Sequence, residues 1–294
     1  MKGGSPNFES IVPLSSDLGE SPIWDAEQQA LYWVDVRGNT LNRYDPASGT
    51  NRVQPIAESA HAIALTRGQR LLAVLDETVA YLDPESGALE PLVRLVKGGD
   101  DNLNDGQCDR AGRLWVGAKA RDWVQPIGGL WRVDPDGSKH QQDEGMRLSN
   151  GMGWSPDNRT MYFIDSAPRM IYAYDFDFAQ GTVSNRRVLV TVAEEHGLPD
   201  GMTVDAEGFL WVAQWNGGRV VRYDPDGTIE RMLPTPVKRV TSVAFGGPDL
   251  GTLYVTSGTM RMSPEELARE PRAGNVFRIR TEFQGLPESR FGGG

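Results

Sequence analysis

Two acids, two amides, a histidine and a threonine recur in this chain at one position of a repeated segment, and side chains of those types brought together would bind a hard cation. The segments read ESPIWD from Glu20, HAIALT from His61, NDGQCD from Asn104, NGMGWS from Asn150, DGMTVD from Asp200 and TSVAFG from Thr241. Their first residues lie about 40 to 50 positions apart, the period of a β-propeller blade. Repeats set around an axis bring equivalent positions together, so the six residues are expected to form a ring. Asn-Gly and Asp-Gly pairs are also common turn formers, and Asn150-Gly151 or Asp200-Gly201 taken singly could be bends between blades. A turn accounts for the glycine. It does not account for an acid or amide at the same repeat position in four of the six copies, nor for Glu20, which is followed by Ser21-Pro22. Converging carboxylates repel unless a cation lies between them. Carboxylate and amide oxygens favour Ca²⁺ first, then Mg²⁺ or Mn²⁺; Zn²⁺ suits them less, because zinc sites carry more His or Cys. His61 could add one nitrogen or simply line a substrate pocket. His140 and His196 fall outside the register and are expected at the surface. Cys108 takes the apolar slot filled by Trp24, Trp154, Val204 and Phe245 in sister repeats, which makes it a core residue and not a nucleophile.

The elements that must position the ring are legible from alternation and turn chemistry. The first repeat reads as a short strand at 22–24, a turn at 25–29, the strand LYWVDV from Leu31, a turn at 37–39, the strand TLNRYD from Thr40 and a turn at 46–49. This is a β-meander. The cassette recurs as CDRAGRLWVGA then GLWRVDPDG, as WSPDNRTMYFIDS then MIYAYDFD, and as VDAEGFLWVAQ then RVVRYDPDG, with outer strands such as RVLVTVA from Arg187. The expected fold is all-β: a six-bladed propeller with four antiparallel strands per blade. The sixth copy shows only three strands, TSVAFG, LYVTS and NVFRIR, while FESIVPL (8–14) is a spare strand at the other end. That strand is expected to close the ring as the outer strand of blade six. SPEELARE (263–270) opens with a Ser and an acidic first turn, as a helix N-terminus does, and reads as a short excursion between strands of the last blade.

At 294 residues, with no linker-like run, the chain is expected to form one domain, with 1–7 and 288–294 as flexible tails. The net charge of −10 lacks the basic footprint that nucleic acid or an anionic membrane requires, leaving small molecules and metal ions as partners. A lone cysteine, no eighteen-residue apolar run and no charged-then-apolar leader in MKGGSPNFES point to a cytoplasmic protein; a monomer or weak homo-oligomer is expected.

The segments LGESPIWDAEQQALYWVDV, NDGQCDRAGRLWVGA, LSNGMGWSPDNRTMYFIDS and LPDGMTVDAEGFLWVA resemble the SMP-30/gluconolactonase, or regucalcin-like, family, over nearly the whole chain from about residue 18 to 291. The resemblance implies a six-bladed propeller, hydrolysis of sugar lactones and one divalent metal ion. It also implies that Glu20 of the GES motif, Asn150 of SNG and Asp200 of PDG are metal ligands, and that Asn104 of NDG contacts substrate or a water on the metal. That chemistry suits the residues. A divalent ion polarises the lactone carbonyl and acidifies water, Asp200 is placed to act as ligand and catalytic base, and the amides can donate to the oxyanion. No Gly-x-Ser-x-Gly elbow suggests a serine hydrolase.

The chain departs from the family where substrate would be gripped. Aldonolactone-hydrolysing members often carry Arg two positions before the NDG asparagine, and here that position is Asn102. A GTM-like stretch is replaced by Gly117-Ala118-Lys119-Ala120-Arg121-Asp122. Asn102, Asn104, Lys119, Asp122 and His61 are therefore the candidate substrate residues, with Lys119 either supplying the missing cation or, like Arg121, a solvated loop charge. An organophosphate-hydrolysing enzyme of the diisopropylfluorophosphatase type and a non-enzymatic calcium-binding propeller are the alternatives to a lactonase.

Overall fold

The computed structural model describes residues 7–292. Six antiparallel sheets follow one another along the chain, and each begins with an inner strand that carries or adjoins a ring position: Gly19–Asp25, Ala62–Thr66, Asp101–Cys108, Ser149–Trp154, Leu198–Val204 and Val240–Gly246. Three of these strands are buried at every residue, because an inner strand packs between two neighbouring blades. The outer strands, such as Thr50–Pro55 and Ile229–Pro234, alternate toward solvent. Within blades three and five the repeated Asp-x-x-Gly-x-Leu-Trp pattern has a physical cause. Asp109 and Asp205, fully buried, accept the turn N–H groups and the indole N–H of Trp115 and Trp211 at 2.9 Å, and each pairs with a buried Arg.

Closure of the ring follows the sequence reading. Glu9–Val12 pairs antiparallel with Val276–Arg280 and lies outermost in the order of blade six. Pro264–Arg269 is a helix with Ser263 and Glu266 forming a capping box, and it sits between the middle two strands of that four-stranded sheet. Among the described residues no helix is long and apolar enough to cross a membrane.

The segment near the C-terminus differs from expectation. Of the stretch read as a flexible tail, 288–292 is bound, while 293–294 and, at the other end, 1–6 lie outside the described residues. Arg290–Phe291 adds a fifth, parallel strand to blade two. Residues 284–292 form a strap across one face of the ring. The amide of Ala206 in blade five donates to Gln284, Gly285 donates to Leu250 in blade six, Arg290 pairs with Asp25 in blade one at 2.6 Å, and Gly292 donates to Gly112 in blade three. Phe291 is 4% exposed within the apolar cluster between blades two and three. No repeat contains a counterpart of this segment, so periodicity carried no sign of it.

One irregularity positions the site. In blades one, three, four, five and six the pairing of the inner strand shifts register at the ring residue, between Glu20 and Ile23, Leu103 and Gly106, Ser149 and Met152, Pro199 and Met202, and Val240 and Val243. Such a bulge frees a residue from strict alternation and re-aims its side chain. The glycines that follow serve close packing at the axis and not a turn. A Cβ on Gly151 would come within 2.4 Å of the Met202 nitrogen, and one on Gly201 within 2.1 Å of Ser242 Oγ, both in the next blade.

Candidate active site

The bulges of blades one, three, four and five aim their side chains into a pocket at one mouth of the central channel. Its polar wall is Glu20, Asn104, Lys119, Asn150, Ser166 and Asp200; its apolar wall is Leu18, Trp123, Leu148, Leu198, Trp215 and Met260. The structure thus brings together Glu20, Asn104, Asn150 and Asp200 from four blades, with Lys119 beside them. Asp200 is 8% exposed, and its carboxylate accepts no hydrogen bond among the described residues. Among the described residues Glu20 accepts only the amide of Ser21, at 3.3 Å.

Electrostatics express the same shortage of partners. Burial, then repulsion from Asp200 and Asp105, raises the Glu20 carboxyl well above its usual range, and burial followed by Asp105 does the same to Asp200. Burial pushes Asp105 up to about 6. Lys119 is pulled down to about 8 by burial, against the attraction of Glu20 and Asp200. Its ammonium donates to Asn104 Oδ1 at 2.6 Å. The amide nitrogen of Asn104 donates to the Ser149 carbonyl at 2.7 Å and to Asn150 Oδ1 at 3.2 Å, and Asn150 Nδ2 donates to Ser166 Oγ at 2.8 Å.

Three candidate substrate residues do not line this pocket. Asn102, 4% exposed, turns its amide nitrogen to the Leu103 carbonyl and toward Asp76, since it lies beside blade two and not on the axis. His61 binds the same Asp76 through Nε2 at 2.7 Å, and burial lowers its pKa. Asp122 accepts the amides of Val124 and Gln125, at 2.8 and 3.1 Å, as the cap of an exposed loop. Thr241, at the sixth ring position, is fully buried and donates to the Gly19 carbonyl, stitching blade six to blade one. Arg121 pairs with Asp76 at 3.1 Å. Cys108 is buried and its thiol raised by burial, as a core residue's would be.

Other features of the site were not read from the sequence. Asp105 stands next to Asn104 inside the bulge and faces the channel below the pocket, a cavity also lined by Gln107, Met202 and Glu288. The NDG spelling contained that acid, but strict strand alternation would have turned it away. Trp123 lines the pocket from the loop of blade three, and the Arg261 guanidinium of blade six lies 4.4 Å from its ring centroid. The two loops belong to opposite blades, so this pair spans the mouth.

Two carboxylates short of donors, an amide oxygen beside them and a hard-oxygen donor set fit a divalent cation. Glu20, Asp200 and Asn150 are the residues that would hold it. Among the described residues no three His, Cys, Asp or Glu side chains cluster as ligands, so amide oxygens must complete any such set.

A closed six-bladed propeller with an acid–amide mouth defines the class, and comparison with known proteins gives the family. Residues 18–259 match the model of the SMP-30/Gluconolactonase/LRE-like region, and the chain belongs to that family. It is 38% identical to pentonolactonase XacC of Haloferax volcanii, over 95% of this chain and 96% of that protein, and 35% identical to regucalcin of Xenopus laevis, over 94% of each. The crystal structure of regucalcin, a calcium-binding protein of Agrobacterium tumefaciens, superposes with a TM-score of 0.93 at 26% identity over 98% of both chains.

Proposed function

We propose that this protein is a divalent-cation-dependent lactonase that opens sugar lactones in the pocket at the channel mouth, acting on a free small molecule. The observation that carries the reading is the Asp200 carboxylate: buried, without a hydrogen-bond donor among the described residues, and lining the same pocket as Glu20 and Asn150. A Ca²⁺ or similar ion held by these three would polarise the lactone carbonyl and make water more acidic. Asp200, in the same pocket and with no donor on its carboxylate among the described residues, accepts the proton of the attacking water. Both N–H groups of Asn104 are already committed to Ser149 and Asn150, so that residue holds the wall in place. Lys119, with one of its three N–H groups on Asn104, has two left for the substrate's hydroxyls or for the developing oxyanion. Trp123 and Trp215 supply flat apolar faces against which the C–H face of a lactone ring packs.

The test is a pH-indicator screen of sugar and alkyl lactones with metal-stripped protein, repeated with Ca²⁺, Mg²⁺, Mn²⁺ and Zn²⁺ and with Asp200→Asn. Turnover restored by an added ion and lost in the variant is the expected result. Turnover that needs no ion, or that survives in Asp200→Asn, would refute the assignment.

A further inference from the structure

We infer that Lys119 is a positioning residue that fixes which end of the Asn150 side chain faces the pocket. The inference rests on the cation reading above and goes beyond it. The two ends of an Asn amide have nearly the same shape, but only the oxygen can ligate a cation. The choice between them is made by a directed chain of hydrogen bonds. Lys119 can only donate, so Asn104 must present Oδ1 to it, at 2.6 Å. The Asn104 nitrogen then faces away from Lys119 and donates to Asn150 Oδ1 at 3.2 Å, which leaves Asn150 Nδ2 for Ser166 Oγ at 2.8 Å. The Ser166 hydroxyl in turn donates a hydrogen bond to the Pro199 carbonyl at 2.5 Å.

Both ends of this chain are fixed, because an ammonium has no acceptor and a carbonyl has no donor. Turning Asn104 over would set its NH₂ group against Lys119 and its oxygen against the Ser149 carbonyl, and turning Asn150 over would set its NH₂ group against that of Asn104, leaving polar groups unpaired in either case. The chain runs through three blades, from Lys119 and Asn104 in blade three, through Asn150 and Ser166 in and beside blade four, to Pro199 in blade five. It ends at the residue before Asp200. Asn150 Oδ1 keeps one lone pair for a ligand.

Simple electrostatics and positioning predict opposite signs for one variant. Removing a positive charge next to a cation site should tighten cation binding; removing the group that orients Asn150 should weaken it. Calcium titration calorimetry on metal-stripped Lys119→Met is therefore decisive. We expect the dissociation constant to rise tenfold or more, in the range found for residues that orient metal ligands. Ser166→Ala, at the other end of the chain, changes no charge and should weaken binding several-fold. Unchanged or tighter binding in Lys119→Met, or wild-type affinity in Ser166→Ala, overturns the inference. Selective ¹⁵N labelling of asparagine provides a readout that needs no metal: the Asn104 and Asn150 side-chain amide protons should exchange slowly in wild type and quickly in Lys119→Met. If wild type binds no cation, the cation reading fails, and that exchange decides the orientation alone, with retained protection in Lys119→Met counting against it.

Discussion

Replacing Asp105 by Asn should stabilise the metal-free protein, and by an amount that depends on pH. Burial raises the Asp105 carboxyl from an ordinary 3.8 to about 6. The folded state therefore holds a proton that the unfolded chain has already lost, so stability is present in full below the ordinary value and is lost as pH climbs through about 6. At pH 7.5 the cost is about 3 kcal/mol, and at pH 5 about 1.5 kcal/mol. These are upper figures, since the carboxyl opens onto the channel. An Asn at this position can still accept the Gly106 amide, which Asp105 Oδ1 accepts at 2.7 Å. It also removes one of the charges that raise Glu20 and Asp200. Urea unfolding in EDTA at both pH values measures the effect, and at pH 7.5 the gain corresponds to a melting temperature roughly 5 °C higher. A variant no more stable than wild type at pH 7.5, or one stabilised equally at pH 5 and 7.5, would refute the account of this carboxyl.

Phe291→Ala should cost about 3 to 5 kcal/mol in the same assay, as a buried aromatic does, whereas a side chain on a loose tail would cost less than about 0.5 kcal/mol; removing residues 1–14 should likewise lower the melting temperature sharply by opening blade six. Trp123→Ala removes the ring that meets Arg261 across the mouth, a contact of about 1 kcal/mol together with lost packing on the substrate, and should raise KM for lactones about tenfold with kcat little changed. A fall confined to kcat would place Trp123 in the chemistry instead.

Periodicity made most of the fold and half of the site readable. Glu20, Asn104, Asn150 and Asp200 occupy one repeat position, and rotational symmetry alone carries that position to a common axis. Lys119 was found by a different route, as a charge replacing a neutral residue in a known motif. Asp105, which was missed, and Asn102, which was misplaced, share one cause. Asp105 should face away from Asn104 in a regular strand, and Asn102 should share its face; the register shift between Leu103 and Gly106 breaks both expectations. Bulges leave no compositional trace beyond a glycine that also spells a turn. Trp123, Arg261 and the strap at 284–292 occur once each, outside the repeat, where periodic reasoning has nothing to compare.

Closing the ring through Glu9–Val12 has a kinetic consequence. Each blade is a meander whose strands meet across short turns, so its contacts are local and form early. The ion pair between Glu9 and Arg278 joins residues 269 positions apart. Loop-closure entropy grows only slowly with length, about 0.6 kcal/mol per doubling, so the long separation costs little stability. It costs time, because rates fall as contacts become non-local. Until Glu9–Val12 has paired, Val276–Arg280 is a bare strand edge, the kind of surface that pairs with other chains. The most exposed moment in the life of this protein is the interval before its first strand finds its last blade.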